Sequence, residues 1–333
     1  MTTTDNGPPA DHEQFSDLMG RVLPLYEHQQ YADALVHVRA VAGDLPALRS
    51  DTAHLAACLL ALDGRPDEAL AELRSAYDDG GWWARPLLEE DGDLAALARL
   101  DGFADLVDAS DDRCRASQEA AQEMVVIGAV DEARAVLVAL HGANGDGPRA
   151  AAIWQPLASN GVLLAAPTSS RRTTPTHRTW SDGELEWRDI TQVAPLLAEP
   201  ARPLIVGGMS AGGRQALQWV ISPRELTASG ELVPSAQLVP SAFLVICPAI
   251  GVSRLDRAAI PAAAARGARG HAVLGADDGG TESALEALDL LRAEGIDVSI
   301  DVSIDVVEGL GHDYPVDFVE RVTPVLARLV ASG

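Results

Sequence analysis

Between Pro203 and Arg214 the chain reads Pro-Leu-Ile-Val-Gly-Gly-Met-Ser-Ala-Gly-Gly-Arg, and this stretch leaves the backbone few choices. Leu204, Ile205 and Val206 read as a short buried strand. Gln215 to Ile221 then carry a helical pattern. Between strand and helix, Gly208-x-Ser210-x-Gly212 has to turn sharply. The two glycines leave room where a Cβ would collide with the neighbouring strand and helix. Such a turn lifts the Ser210 hydroxyl above a sheet. It also sets a helix N-terminus beneath it, with amide hydrogens aimed at any negative charge that develops there. The competing reading is a glycine-rich turn that happens to hold a serine. The strand before and the helix after favour a nucleophile.

The rest of the chain falls into two regimes. Residues 1–13 are polar and acidic and are expected to form a disordered tail. From Phe15 to about Ala109 the apolar spacing is helical, with no strand signal. Tyr31-Ala-Asp-Ala-Leu35 is echoed 35 residues later by Pro66-Asp-Glu-Ala-Leu70. That period, with small alanines at Ala34 and Ala69 where paired helices cross, resembles the tetratricopeptide repeat. Residues 14–110 are therefore expected to form an α-helical repeat domain, with 111–122 as a linker. Such an array offers a surface for a protein partner or a helical prop, and the prop is the favoured reading.

Past residue 123 the period changes. Strands are expected at Met124–Ile127, Ala135–Leu140, Val162–Ala166, Leu204–Val206, Phe243–Cys247 and His271–Leu274, with a last one inside Ile296–Val307. Helical runs near 148–159, 186–198, 211–221, 281–294 and 316–330 separate most of them. Strands alternating with helices, and aliphatic along most of their length, predict a mostly parallel sheet covered on both faces over residues 123–333.

A serine hydroxyl needs a base, a carboxylate to orient that base, and two donors for the oxyanion. In a parallel sheet these come from loops at the carboxyl ends of strands. His312 lies in such a loop, Glu308-Gly-Leu-Gly-His312-Asp-Tyr-Pro315, and is the candidate base. His271 opens a strand at its wrong end, and His177 sits in a long polar loop and is expected to be solvated. After the strand ending at Leu274, Asp278 is the preferred acid and Asp277 the runner-up. One of the pair is expected to cap the following helix. The oxyanion donors are expected to be the amides of Ala211, directly after the serine, and of Ala143 in the loop His141–Gly147, with Asn144 second. His141 itself is expected to bond within that turn.

The order Ser210, Asp278, His312, together with Leu140-His141-Gly142, resembles the α/β-hydrolase superfamily. Residues 124–330 look more narrowly like the bacterial predicted esterases, the phospholipase/carboxylesterase and dienelactone-hydrolase relatives. The stretches that carry the likeness are Ala139–Gly142, Ala166–Ser170, Gly207–Gly213 and Gly309–Pro315. The oxyanion loop, His-Gly-Ala-Asn-Gly-Asp, is one residue longer than the usual pattern of the carboxylesterases. Alanine also follows the serine where glutamine is common. The resemblance implies hydrolysis of a carboxylic ester or thioester through an acyl-enzyme, with no metal or organic cofactor. Met209, beside the serine, and Trp180, in the arginine-bearing loop 168–187, are the candidate substrate contacts. The arginines of that loop are expected to pair with Asp182, Glu184 and Glu186. A serine peptidase of the same fold, and an idle hydrolase fold acting with the repeats as a scaffold, are the alternatives.

Composition trims the partner classes. A formal charge of -24, with no lysine, repels phosphate backbones and anionic lipid, so nucleic acid and membrane are not expected partners. Three widely spaced cysteines make no disulfide framework and have no zinc-ligand spacing. With no signal-peptide pattern at the N-terminus, a cytoplasmic location is expected.

Overall fold

Leucines and alanines at helical spacing dictate the first part of the molecule. In the computed structural model, which describes residues 10–118, 124–159, 161–181, 184–197, 202–227, 231–296 and 304–331, the chain divides into two compact units. The first unit comprises residues up to 118 together with Arg172–His177. Its helices are α1 (Ala10–Glu27), α2 (Tyr31–Val41), α3 (Arg49–Leu62), α4 (Pro66–Asp78), the short α5 (Arg85–Glu89) and α6 (Phe103–Ala116). The two echoing segments open α2 and α4, and Ala34 and Ala69 are wholly buried. α1 packs on α2, α2 on α3, and α3 on α4, around Leu18, Leu35, Leu59, Leu73 and Trp83. Two boundaries differ from expectation. α1 already begins at Ala10, inside the expected tail, and α6 runs on to Ala116, through half of the expected linker. Residues 1–9 and 119–123 lie outside the described residues.

The segment Arg172–His177 corrects a further expectation, because His177 is buried rather than solvated. Its Nδ1 lies 2.7 Å from Oδ1 of Asp51, a buried residue of α3. Thr174 donates to the same carboxylate at 2.8 Å and Thr176 at 2.5 Å. Burial pushes the Asp51 carboxyl up, but the bond and charge of His177 and the two threonine hydroxyls outweigh it. The carboxyl therefore sits below its ordinary value. A polar loop hid a buried carboxylate partner because that partner is more than a hundred residues away.

The second unit is built on a seven-stranded sheet: β1 (Val125–Ile127), β2 (Ala135–Leu140), β3 (Val162–Ala166), β4 (Leu204–Met209), β7 (Ala242–Ile246), β8 (Arg269–Gly275) and β9 (Asp305–Val307). Strand order is β1-β3-β2-β4-β7-β8-β9, and β1 alone runs antiparallel to its neighbour. Side chains alternate strictly between two cores, as a doubly covered sheet requires. Val136, Val138, Leu163, Val206, Phe243 and Leu274 face one core, with α8 (Glu184–Thr191), α9 (Ala211–Ile221), α10 (Ile260–Ala265) and α11 (Thr281–Ala293). Leu137, Ala139, Leu164, Ile205, Leu244 and Val273 face the other, with α7 (Gly147–Trp154) and α12 (Phe318–Ala331). This is the α/β-hydrolase fold. A small hairpin, β5 (Arg224–Leu226) with β6 (Leu232–Pro234), takes up the first copy of the tandem repeat Leu-Val-Pro-Ser-Ala. A second tandem duplication, Asp-Val-Ser-Ile at 297–300 and again at 301–304, falls almost wholly outside the described residues. Among the described residues no helix is long and apolar enough to cross a membrane.

Candidate active site

The parallel strands bring β2, β4, β7, β8 and β9 to one edge of the sheet with their carboxyl ends together, and every predicted site loop leaves from that edge. Ser210 joins β4 to α9 with φ 54° and ψ -119°, a backbone that L-residues rarely adopt. The flanking glycines are there for space. A Cβ on Gly212 would lie 2.3 Å from the Leu140 carbonyl oxygen, and one on Gly208 would lie 2.6 Å from the Gly212 carbonyl carbon. The strained serine is held from both sides, its N–H donating to Ile246 O at 3.0 Å and its C=O accepting from Ala249 and Arg214.

His312 bridges two residues that are far from it in sequence. Its Nε2 lies 2.8 Å from Ser210 Oγ and its Nδ1 lies 2.8 Å from Asp278 Oδ2. The loop carrying it crosses directly over the end of β8, where a Cβ on Gly275 would meet Leu310 O at 2.3 Å. Amides of Ala276 and Asp277 fasten the two loops by donating to Val307 O and Leu310 O, each at 2.9 Å. The Asp278 side chain is only 8% exposed, whereas the imidazole is 45% exposed, so the carboxylate is sheltered and the ring faces the open side. Burial pushes the Asp278 carboxyl up. The Gly280 amide and the His312 ring more than offset this, and it stays below the ordinary carboxylate range. Of the two aspartates, Asp278 meets the histidine and Asp277 is exposed. Neither aspartate caps α11, whose N-cap is Gly280 with no side-chain cap bond; Asp278 instead accepts from the Gly280 N–H at 2.9 Å, while its other oxygen is turned to the histidine.

The loop after β2 passes beside the serine. A Cβ on Gly142 would lie 3.7 Å from the Ser210 Cβ and 3.3 Å from the Met209 Sδ, which leaves Met209 half-buried next to the hydroxyl. Among the described residues the backbone N–H groups of Ala143 and Ala211 have no hydrogen-bond partner. The Asn144 N–H, by contrast, is committed to Arg178 O at 2.8 Å. His141 binds within its turn: Nδ1 lies 2.7 Å from Gly142 O, and Nε2 accepts from the Ser169 N–H at 3.1 Å. Burial pulls its imidazole down to about 4, so it is neutral and acts as a strut for the loop.

One expectation needs correction. Trp180 offers no surface to a ligand: it is wholly buried, its ring centroid is 5.0 Å from that of His141, and its indole N–H donates to His141 O at 2.9 Å. An indole in a loop is a large apolar body with one donor, and here both are used in packing against the loop after β2. The expected pairing of the loop arginines with nearby acids is seen at Glu186, whose buried carboxylate lies 3.5 Å from Arg171. The side chains of Asp182 and Glu184 fall outside the described residues.

Cys247, expected from sequence only as the last residue of the strand Phe243–Cys247, is a site neighbour. It follows β7 with φ 40°, and its Sγ lies 3.8 Å from Gly311 O and 3.7 Å from Asp313 O, on either side of His312. Burial pushes its thiol up to about 11, so it is protonated near neutrality and does not compete as a nucleophile. Its position directly after a strand, at the same sheet edge, was the available signal.

Residues 14–118 match the family described as the A/B hydrolase-like, N-terminal domain. No curated protein matches the chain. Among solved structures it is similar to an uncharacterised protein from Bacillus cereus ATCC 10987, at 19% identity and TM-score 0.50, over 96% of this chain and 99% of that one. It also matches acyl-protein thioesterase 2 of Zea mays at 20% identity and TM-score 0.47, covering 62% of this chain and 99% of that one. A thermophilic esterase from Thermogutta terrifontis with butyrate bound matches at 14% identity and TM-score 0.46, over 63% and 88% of the two chains. At 19% identity the likeness to the Bacillus cereus protein is one of fold.

Proposed function

We propose that the protein is a serine hydrolase that cleaves a carboxylic ester or thioester. Ser210 is the nucleophile, His312 the general base and then the general acid, and Asp278 the group that orients the ring and stabilises the imidazolium. The observation that supports this is the pair of 2.8 Å contacts by which one imidazole joins hydroxyl to carboxylate across three separate loops. In the acylation step Ser210 Oγ attacks the carbonyl carbon as its proton passes to His312 Nε2. The tetrahedral oxyanion is held by the Ala211 and Ala143 amides, and collapse expels the alcohol or thiol with the proton from His312. Water, activated by the same nitrogen, then releases the acid and restores Ser210. The N-terminus of α9 adds its partial positive charge where the oxyanion forms. Met209 lines the acyl side.

The reading is tested on short- to long-chain nitrophenyl esters and matching thioesters. Ser210→Ala is expected to abolish turnover, and Asp278→Asn to lower kcat by about 10³–10⁴-fold. Asp277→Asn is expected to leave kcat within about twofold of wild type. Equal losses from Asp277→Asn and Asp278→Asn, or persistent turnover in Ser210→Ala, would overturn it.

A further inference from the structure

The helical unit gathers a second set of chemically capable side chains, unrelated to the serine. His54 and Cys58 lie one turn apart on α3, and Asp91 precedes the 3-10 turn Gly92–Arg99. No metal-binding spacing is legible in the sequence, because the third residue comes from a separate loop. In the fold, His54 Nε2 is 3.3 Å from Asp91 Oδ2, Cys58 Sγ is 3.6 Å from the same oxygen, and Sγ to Nε2 is 4.0 Å. The donor atoms of all three lie within 4.8 Å of one another.

Those separations can be compared with the edges of a coordination polyhedron. Bonds of about 2.3 Å to sulfur and about 2.1 Å to nitrogen and oxygen, at tetrahedral angles, set ligand atoms about 3.3–3.6 Å apart. Two of the three measured edges fall in that range and the third is slightly long. A triangle with these sides has its centre about 2.1 Å from each corner, the length of a metal–ligand bond. The Leu87 carbonyl oxygen, 3.1 Å away, accepts from the His54 Nε2–H, so ligation through Nε2 uses the tautomer that carries the proton on Nδ1.

We infer that His54, Cys58 and Asp91 form a binding site for a zinc-class divalent cation in the helical unit, distinct from the hydrolytic site. Thiolate, imidazole and carboxylate together are a zinc-type donor set, poorly suited to calcium or magnesium. Thiolate and carboxylate supply two negative charges, which match a divalent ion. The second oxygen of Asp91 is engaged by the Asp93 N–H at 3.0 Å, and this fixes the carboxylate with Oδ2 turned to the site. Cys58 is buried while the His54 and Asp91 side chains are 16% and 26% exposed, so the ion has a path in and a sheltered sulfur. Binding displaces the thiol proton to solvent as the metal–sulfur bond forms, with no change of oxidation state.

The test uses the full chain, stripped with a chelator and titrated with cobalt(II), then with zinc(II). One equivalent of cobalt is expected to give a sulfur-to-cobalt charge-transfer band and tetrahedral d–d absorption, both erased by one equivalent of zinc. Cys58→Ser is expected to remove the charge-transfer band. Asp91→Asn, which keeps the capping geometry, is expected to raise the zinc dissociation constant by about 100-fold or more. A circular dichroism melt of each stripped variant separates loss of ligand from loss of fold. Absence of the band in folded wild type, or a band that survives Cys58→Ser, overturns the inference. So does unchanged zinc affinity in a folded Asp91→Asn variant.

Discussion

Ser210 holds its φ of 54° against a steric cost that glycine does not bear. The strain keeps the hydroxyl at the outer point of the turn, within reach of His312, and it is a cost the fold carries in every molecule. Ser210→Gly is therefore expected to melt higher than Ser210→Ala, by the equivalent of about 1 kcal/mol, although both lack the hydroxyl. Equal melting temperatures would contradict the strain. Asp51 works in the other direction. Its carboxyl is depressed by His177, Thr176 and Thr174 against the pull of burial. A group whose folded value lies below its unfolded value adds stability above the unfolded value, about 3.9, and loses it as pH falls through the folded one. Asp51→Asn should thus flatten the acid limb of the stability curve of the helical unit below about pH 4 and lower stability near neutrality. A limb as steep as in wild type would contradict the assignment. Asp278, also depressed, contributes in the same window in the second unit.

At the scale of elements, the glycines divide by what surrounds them. Gly20 lies inside α1 with nothing within 4 Å of an added Cβ, so Gly20→Ala is expected to stabilise by up to about 1 kcal/mol through helix propensity. Gly212 opens α9 against the Leu140 and His141 carbonyls, and Gly212→Ala should cost about 3 kcal/mol or more by forcing β2 and α9 apart. Thermal melts of the two variants should move in opposite directions, and a neutral Gly212→Ala would refute the close approach. The same contrast explains what the sequence disclosed. Ala135–Leu140, Val162–Ala166 and Ala211–Ile221 were legible to the residue, because runs buried on both sides, or on one helical face, carry their period openly. Ser210 and His312 were legible because a strand-to-helix turn and a glycine-rich loop after a strand are local signals. The β5–β6 hairpin and α10 were not, being short elements whose pattern is set by packing rather than period. Neither was the burial of His177 or Trp180. Each sits in a polar, arginine-bearing loop, and only the tertiary partner, Asp51 in one case and the His141 carbonyl in the other, turns it inward.

At the scale of the whole molecule, the two proposed sites lie one in each compact unit. The sheet unit gathers at one edge the ends of strands that lie up to about 170 residues apart in the chain, from β2 to β9, so the edge exists only when the entire sheet is formed. The helical unit carries its own buried polar clusters and its own family match. The chain as a whole is strongly acidic, with a formal charge of -24 from 25 arginines against 49 acids. The central claim is that Ser210 is made nucleophilic by His312 in the folded protein. Intact-mass and peptide analysis after treatment with a fluorophosphonate tests it most directly. The account predicts a single adduct, on Ser210, formed by folded wild type, slowed strongly in His312→Ala and absent from Ser210→Ala and from urea-unfolded protein. A folded wild type that takes no label, or takes it equally fast without His312, would contradict it.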